Sequence, residues 1–123
     1  MVPSSTSFTA STDASTDRVV VRADAAVDDL LTALEDAGCR AILDATGDEP
    51  LCARELSERC DLPLSTTYRK LNRLTGVGLL AERTRLRPSG RHASEYTRRV
   101  ASVRVSLDTG RLELQRVPTA RGD

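Results

Sequence analysis

The segment Ala53–Leu80 decides the fold, and its sequence is ARELSERCDLPLSTTYRKLNRLTGVGLL. A short helix is predicted over about Ala53–Cys60, with Leu56 facing inward, and the residues DLPL that follow favour a turn. A second helix is predicted over about 65–76, with Ser65 as its N-cap and glycine at its end. The segment therefore predicts two short helices joined by a tight turn.

The second predicted helix has two chemically different faces. Its inner stripe recurs at helical spacing and consists of Thr67, Leu71 and Leu74. The opposite face carries polar and basic side chains, namely Tyr68, Arg69, Asn72 and Arg73. Such side chains can reach base edges or flanking phosphates in the major groove of DNA. The pattern is therefore typical of the recognition helix of a helix-turn-helix.

The period of the hydrophobic pattern changes after Gly78. Strands are predicted over about 79–86 and 92–100, and the turn RPSGR at residues 87–91 joins them. Four arginines surround this hairpin: Arg83, Arg85, Arg87 and Arg91. A basic hairpin directly after a helix pair is typical of the wing of a winged helix, which we place over about 79–100.

Further elements are predicted on both sides of this motif. Upstream, a helix follows Asp24 and is ended or interrupted at Gly38; downstream, residues 103–114 alternate around an Asp-Thr-Gly turn and predict a second hairpin. Residues 1–23 are predicted to form a disordered, Ser/Thr-rich tail. Within it, Val19–Val21 is either a short strand or a strip that packs on the domain. Residues 118–123 are predicted to form a second tail.

These elements define one fold class. The sequence predicts an α+β, mainly helical fold: a winged helix-turn-helix domain over 24–117 with an extra N-terminal helix and a C-terminal β-hairpin. A chain of 123 residues can bury a modest core of this kind, whereas barrels and doubly wound sheets need more residues.

The charges of the chain are divided between its halves. Eighteen basic and 18 acidic residues give a formal net charge of zero. Residues 1–61 carry 13 acidic and 5 basic residues, whereas residues 62–123 carry 5 acidic and 13 basic residues. Positive charge on the half with the predicted recognition helix and wing favours a polyanionic partner, double-stranded DNA. Alternatively, the two halves neutralise each other in the fold.

The segment Ala33–Leu80 resembles the winged helix-turn-helix regulators of the ArsR-like superfamily. The residues that carry the resemblance are Glu55-Leu56, Ser65-Thr66, Leu71, Leu74 and Gly78-Leu79. One lysine beside 17 arginines, with abundant Asp, Ala and Thr, is similar to the small archaeal, halophile-type branch. The resemblance implies a sequence-specific DNA-binding transcription regulator.

The expected DNA-binding residues lie on the recognition helix and the wing: Ser65, Thr66, Tyr68, Arg69, Asn72, Arg73, Arg83, Arg85, Arg87, Arg91 and His92. Arg69 and Arg73 are expected to discriminate between sequences, whereas Arg85 and Arg91 are expected to contact phosphate. Ser65 is either a phosphate ligand at a helix N-terminus or a helix cap alone. Tyr68 is either a DNA contact or partly buried against the wing.

Two other functions stay open at this stage. A winged helix also occurs as a protein–protein interaction module of the transcription machinery. A thiol- or metal-responsive repressor is suggested by Cys39, Cys52 and Cys60. However, Cys52 and Cys60 are eight residues apart, out of register on a helix, and the closely spaced cysteine pair of metal-sensing relatives is absent. We therefore expect structural thiols, no metal site and no cofactor.

The remaining expectations concern class and assembly. The sequence shows no catalytic arrangement, no membrane-spanning apolar run and no secretory leader, so we expect a cytoplasmic non-enzyme. We also expect a homodimer, because helix-turn-helix proteins usually pair to read two half-sites; no small-molecule effector can be assigned. The candidate contacts are two apolar stripes, either of which can instead belong to the core of a single chain: Val27, Leu30, Leu31 and Leu34, and Val103, Val105, Leu112 and Leu114.

Overall fold

The computed structural model describes residues 19–21 and 24–119. The helices in these residues are α1 (Asp24–Glu35), α2 (Ala37–Ala45), α3 (Ala53–Cys60) and α4 (Leu64–Gly76). The strands are β1 (Val19–Val21), β2 (Leu51–Cys52), β3 (Leu80–Leu86), β4 (His92–Arg98), β5 (Val100–Asp108) and β6 (Arg111–Pro118). They form two antiparallel sheets of three strands, with the orders β2–β4–β3 and β1–β6–β5. None of the helices described is long and apolar enough to cross a membrane.

Contacts divide the chain into two compact units. Residues 29–99 form one unit, which holds most of α1, the other three helices and the sheet β2–β4–β3. The second unit is built from both chain ends and holds the sheet β1–β6–β5. The domain predicted over 24–117 thus contains two units. Helices and strands both contribute, with somewhat more residues in helices, so the predicted α+β class is confirmed.

The strand β1 lies inside the segment that was predicted to be a tail. Val19 pairs with Arg116 and Val21 pairs with Leu114, both antiparallel. Three consecutive valines suit a strand, because β-branched side chains pack well on a pleated surface. This is the first of the two alternatives given for Val19–Val21, so these residues do not belong to the tail predicted over 1–23. Pro118, predicted as the first residue of the second tail, is instead the last residue of β6. Residues 1–18, 22, 23 and 120–123 lie outside the described residues, so both tails stay a prediction there.

The break between α1 and α2 lies at Asp36 and not, as the sequence predicted, at Gly38. Asp36 is the N-cap of α2, and its Oδ2 accepts a hydrogen bond from the backbone N–H of Cys39 at 2.9 Å. A capping carboxylate satisfies an amide that has no partner within the helix, so it starts a new helix there. Gly38 lies within α2.

The helix pair α3–α4 is held by a leucine core. Leu56 on α3 and Leu71 and Leu74 on α4 are completely buried, which confirms the predicted inner stripe. In the turn between the helices, Asp61 adopts a left-handed conformation with φ of 56°. The hydroxyl of Ser57 donates to the carbonyl oxygen of Leu62 at 2.5 Å and closes the turn.

The start of α4 differs from the prediction. Pro63 is the N-cap and the helix begins at Leu64, so Ser65 is not the cap. The fixed φ of proline suits the entry to a helix. The carbonyl oxygen of Pro63 accepts from both the backbone N–H and the hydroxyl of Thr67, at 2.9 and 3.0 Å. Thr67 is completely buried, as predicted.

Lys70, the only lysine of the chain, lies on the buried side of α4 and joins it to α2. Its Nζ lies 2.6 Å from Oδ2 of Asp36, and its side chain is 12% exposed. A Cβ at Gly38 would lie 2.7 Å from Cε of Lys70, so glycine makes this close approach possible. The hydrogen bonds from Lys70 and from Cys39 lower the pKa of Asp36 from 3.8 to about 2.

The second predicted hairpin is confirmed. Strands β5 and β6 are joined at Thr109 and Gly110, which both have positive φ, 51° and 81°. Two positive φ values in a two-residue loop define the type I′ turn, whose twist matches that of paired strands. Val105 lies opposite Leu114, and Leu107 lies opposite Leu112, so the alternating apolar residues share one face.

We expect Asp36→Asn to lower the free energy of unfolding by about 1–2 kcal/mol at pH 7 and by much less at pH 2. A carboxylate whose pKa is lowered on folding stabilises the native state above its ordinary pKa. This stabilisation is lost as the pH falls from about 4 through about 2. Asparagine keeps the capping oxygen, so the substitution isolates the ion pair. Urea unfolding of both proteins from pH 2 to 7 measures the effect, and a difference that does not change with pH would contradict it.

Candidate nucleic-acid interface

The outer face of α4 presents the four polar side chains predicted for it. Because the helix turns by about 100° per residue, an inward stripe of Thr67, Lys70, Leu71 and Leu74 leaves the positions between them outward. Tyr68, Arg69, Asn72 and Arg73 are all exposed, as is Ser65, while Thr66 is half-buried. Tyr68 is 48% exposed, so about half of its surface is covered, and both the DNA contact and partial burial against the wing stay predictions.

The strands β3 and β4 form the predicted hairpin, and their register gives it two different faces. Arg83 lies opposite Glu95 and Arg85 lies opposite Ala93, whereas Glu82 lies opposite Tyr96 and Leu86 lies opposite His92. Side chains alternate along a strand, so these two sets point to opposite faces. The arginines at 83 and 85 therefore do not share a face with His92.

Arg85 joins the wing to the start of α3. Its Nε donates to Oε1 of Glu95 at 2.8 Å, and its Nη2 lies 3.5 Å from Oε1 of Glu55 and 3.4 Å from the carbonyl oxygen of Pro50. The hydrogen bond from Arg85 lowers the pKa of Glu95 and raises that of Arg85 itself. The guanidinium is therefore bound to the protein on several sides. Arg83 also pairs with Glu95, at 3.3 Å, but is more exposed.

A groove of about 510 Å³ lies between α4, the start of α3 and one face of the wing. It brings together four of the predicted site residues: Tyr68, Asn72, Arg87 and His92. The other predicted residues lie outside its lining: Ser65, Thr66, Arg69, Arg73, Arg83, Arg85 and Arg91. Arg91 is exposed at the turn of the wing, where its carbonyl oxygen accepts from the backbone N–H of Arg87 at 3.2 Å.

The sequence analysis missed four polar residues of this groove: Arg54, Glu82, Ser94 and Tyr96. Three of them could have been placed on the same wing face as His92, because side chains alternate along a strand. Ser94 and Tyr96 lie two and four residues after His92, and Glu82 lies opposite Tyr96. Arg54 lies at the start of α3, and its approach to the wing depends on tertiary packing. No local signal in the sequence reports that approach.

The three cysteines are free thiols in protected positions. Cys39 and Cys52 are buried and Cys60 is half-buried. Burial raises the pKa of Cys39 to about 11 and also raises that of Cys60, so these two thiols stay protonated at neutral pH. Within residues 19–21 and 24–119, no group of three or more His, Cys, Asp or Glu side chains could hold a metal ion. The burial and raised pKa values of Cys39 and Cys60 agree with the structural role expected for these thiols.

Known proteins share this architecture. Residues 34–83 match a family of helix-turn-helix domains. Reduced HlyU from Vibrio cholerae is 28% identical over 60% of this chain and 73% of its own, with a TM-score of 0.50. NolR from Sinorhizobium fredii is 20% identical over 63% of this chain and 71% of its own, with a TM-score of 0.51. Among curated proteins, none matches the chain.

A third known structure has the same fold. The homodimeric winged helix-turn-helix DNA-binding domain of Mb0332 from Mycobacterium bovis, a possible ArsR-family transcriptional regulator, is 20% identical. The match covers 60% of this chain and 64% of that one, with a TM-score of 0.50. The chain shares the winged helix-turn-helix fold of these proteins. The fold that the resemblance implied for residues 33–80 is thus confirmed.

In this winged helix-turn-helix protein, Arg85→Gln should lower the free energy of unfolding by about 1–2 kcal/mol, because Glu95 loses its strongest donor in a half-buried site. Arg87→Gln is the matched control. Arg87 is exposed and forms no ion pair with the residues described here, so its effect should stay within about 0.5 kcal/mol. Urea unfolding at pH 7 measures both. Equal effects of the two substitutions would show that the contacts of Arg85 do not stabilise the wing.

Proposed function

We propose that the protein is a sequence-specific DNA-binding transcription regulator that uses α4 as its recognition helix and the β3–β4 hairpin as its wing. One observation carries the proposal: the outer face of α4 and the turn of the wing expose arginines that have no carboxylate partner among the described residues. These are Arg69, Arg73, Arg87 and Arg91. An arginine donates two hydrogen bonds at once to a phosphate or a guanine edge, so free arginines on the outer face of α4 and at the turn of the wing suit duplex DNA.

The proposal gives the residues of α4 and the wing different roles. Arg69, Arg73, Tyr68 and Asn72 face outward from α4 and are assigned to base edges. Arg87, Arg91 and His92 are assigned to the DNA backbone beside the wing, and Ser65 and Thr66 to a phosphate near the start of α4. Arg83 and Arg85 are assigned to holding the wing through Glu95, which replaces the phosphate contact expected for Arg85.

Two further expectations concern the location of the protein and the lineage of its source. The cytoplasmic location expected from the sequence agrees with a regulator that acts where the chromosome lies. The archaeal, halophile-type branch rests on residue usage, with 17 arginines beside one lysine, and stays a prediction. The role as a regulator also agrees with the expectation that the protein is not an enzyme.

The division of roles predicts different effects for two arginines. A preferred duplex is selected from a random pool, and fluorescence anisotropy then measures binding to it and to random duplex at several salt concentrations. Arg69→Ala should cost about 1–3 kcal/mol on the preferred duplex and relax the base preference there. Arg91→Ala should weaken binding to all duplexes about equally and reduce the log–log salt slope by about 0.9.

A matched control is Arg59→Ala, because Arg59 is an exposed arginine of α3 paired with Glu49 at 3.0 Å and has no assigned DNA contact. Its substitution should change neither the affinity nor the salt slope appreciably. If Arg69→Ala weakened preferred and random duplexes in the same proportion, the assigned division of roles would be wrong. If the native protein bound no duplex at low salt, the protein–protein interaction module would be the better reading.

We further propose that the protein acts as a homodimer, as Mb0332 is described. Of the two apolar stripes expected to form contacts, the one on α1 has Val27 and Leu30 buried within the chain. The β5–β6 hairpin instead leaves Val105 55% and Leu112 37% exposed. The hairpin face is therefore the candidate interface, since such apolar side chains gain from burial against a second copy.

The dimer is tested by light scattering at tens of micromolar protein in molar salt. The native protein should have the mass of two chains, and Val105→Lys should have the mass of one. Val20→Lys is the matched control, because Val20 is also an exposed valine but lies on the opposite face of the same sheet. A native mass of one chain, or equal dissociation by both substitutions, would defeat the proposed interface.

A further inference from the structure

Two acidic residues occur between residues 62 and 99, and the structure uses them differently. Glu95 forms ion pairs with Arg83 and Arg85. Glu82 is exposed and forms no ion pair with any residue in the described parts of the chain. An unpaired carboxylate is unexpected in the half of the chain that carries 13 basic residues.

Glu82 lies in the groove between α4 and the wing. It projects from the wing face that also carries Tyr96 and His92, and it lines the groove together with Tyr68 and Asn72 of α4. The hydroxyl of Ser94 donates to its Oε2 at 2.6 Å and fixes the carboxylate from the neighbouring strand. The charge is therefore held beside the two α4 side chains assigned to base edges.

Two arginines line the same groove, namely Arg54 and Arg87, beside the imidazole of His92. The arginines attract phosphate, whereas a fixed carboxylate repels it. Even in water, the repulsion between two like unit charges about 4 Å apart weakens binding by about fivefold. A base edge meets this carboxylate differently. The amino group of cytosine is a donor in the major groove, and glutamate accepts its hydrogen bond.

We propose that Glu82 is a specificity-determining residue of the DNA interface. Its carboxylate weakens binding to duplexes in general, and the loss is compensated where the amino group of a cytosine donates to it. An unpaired charge that only the correct partner satisfies is a means of rejecting wrong partners. The inference rests on the proposed DNA-binding function and adds to it a residue that acts by repulsion.

The test compares Glu82→Gln with Glu35→Gln, a control that makes the same change of charge at the exposed end of α1. Anisotropy with a random 24-base-pair duplex should show Glu82→Gln binding about three- to tenfold more tightly than the native protein. Glu35→Gln should bind within about twofold of the native protein. On a duplex selected with the native protein, Glu82→Gln should gain less or lose affinity, so the ratio of specific to random binding falls.

A second variant keeps the charge and removes only its support. Ser94→Ala leaves the carboxylate in the groove but releases it from the hydroxyl, so binding to random duplex should stay weak while preference for the selected cytosine falls. Thermal melting of all variants shows whether they fold. Equal effects of Glu82→Gln and Glu35→Gln on random duplex, or an unchanged ratio for Glu82→Gln, would overturn the role of Glu82. Absence of duplex binding by every protein, native included, would instead overturn the proposed function.

Discussion

An inward-facing lysine helps to fix how α4 is oriented about its own axis, and therefore which of its side chains face outward. Lys70 lies on the same side as the buried leucines and reaches Asp36, which is also the cap of α2. The close approach to Gly38 leaves little room for a bulkier cation there. Because a helix has fixed periodicity, anchoring this one stripe determines which side chains face outward. The exposed positions of Tyr68, Arg69, Asn72 and Arg73 follow from that anchor.

The wing depends on a second set of carboxylates. Glu95 lies on β4, the central strand of the sheet, and Glu55 lies in the first turn of α3, and Arg85 reaches both. Glu55 also accepts a hydrogen bond from the backbone N–H of Cys52 at 2.8 Å, so one side chain starts α3 and contacts the wing. The ion pairs in this region therefore hold the wing against α3. The charged side chains that form no such ion pair are the ones available to a partner.

The helices and hairpins of this protein could be predicted because their signals are local. Stripes such as Leu71 and Leu74, turns such as Thr109-Gly110, and the change of period after Gly78 are each visible within a few residues. The choice of Pro63 over Ser65 as the cap of α4 was missed, because both residue types suit a helix start. The strand β2 was not predicted, because it is only two residues long and pairs with Tyr96 and Glu95, which are far away in the sequence.

The candidate site was predicted less well than the fold, for a physical reason. The exposed face of α4 follows from helix periodicity, so its four polar residues were found. Whether an arginine is free or paired depends on which carboxylate reaches it across strands, and Arg85 shows that the sequence does not reveal this. Glu82 was missed in the same way, because an acidic residue in a basic segment reads as solvated surface until its neighbours are known.

The sheet β1–β6–β5 also constrains the order in which the chain can fold. Its strand β1 comes from the N-terminal end and pairs with β6 near the C-terminal end, while residues 29–99 form a unit without either. During synthesis β1 emerges before β6 and lacks this partner until the intervening residues have been made. Closing so long a loop costs conformational entropy, and this cost falls once the intervening unit has folded and shortened the path. The helix-turn-helix unit is thus free to form early, and the pairing of β1 with β6 follows it.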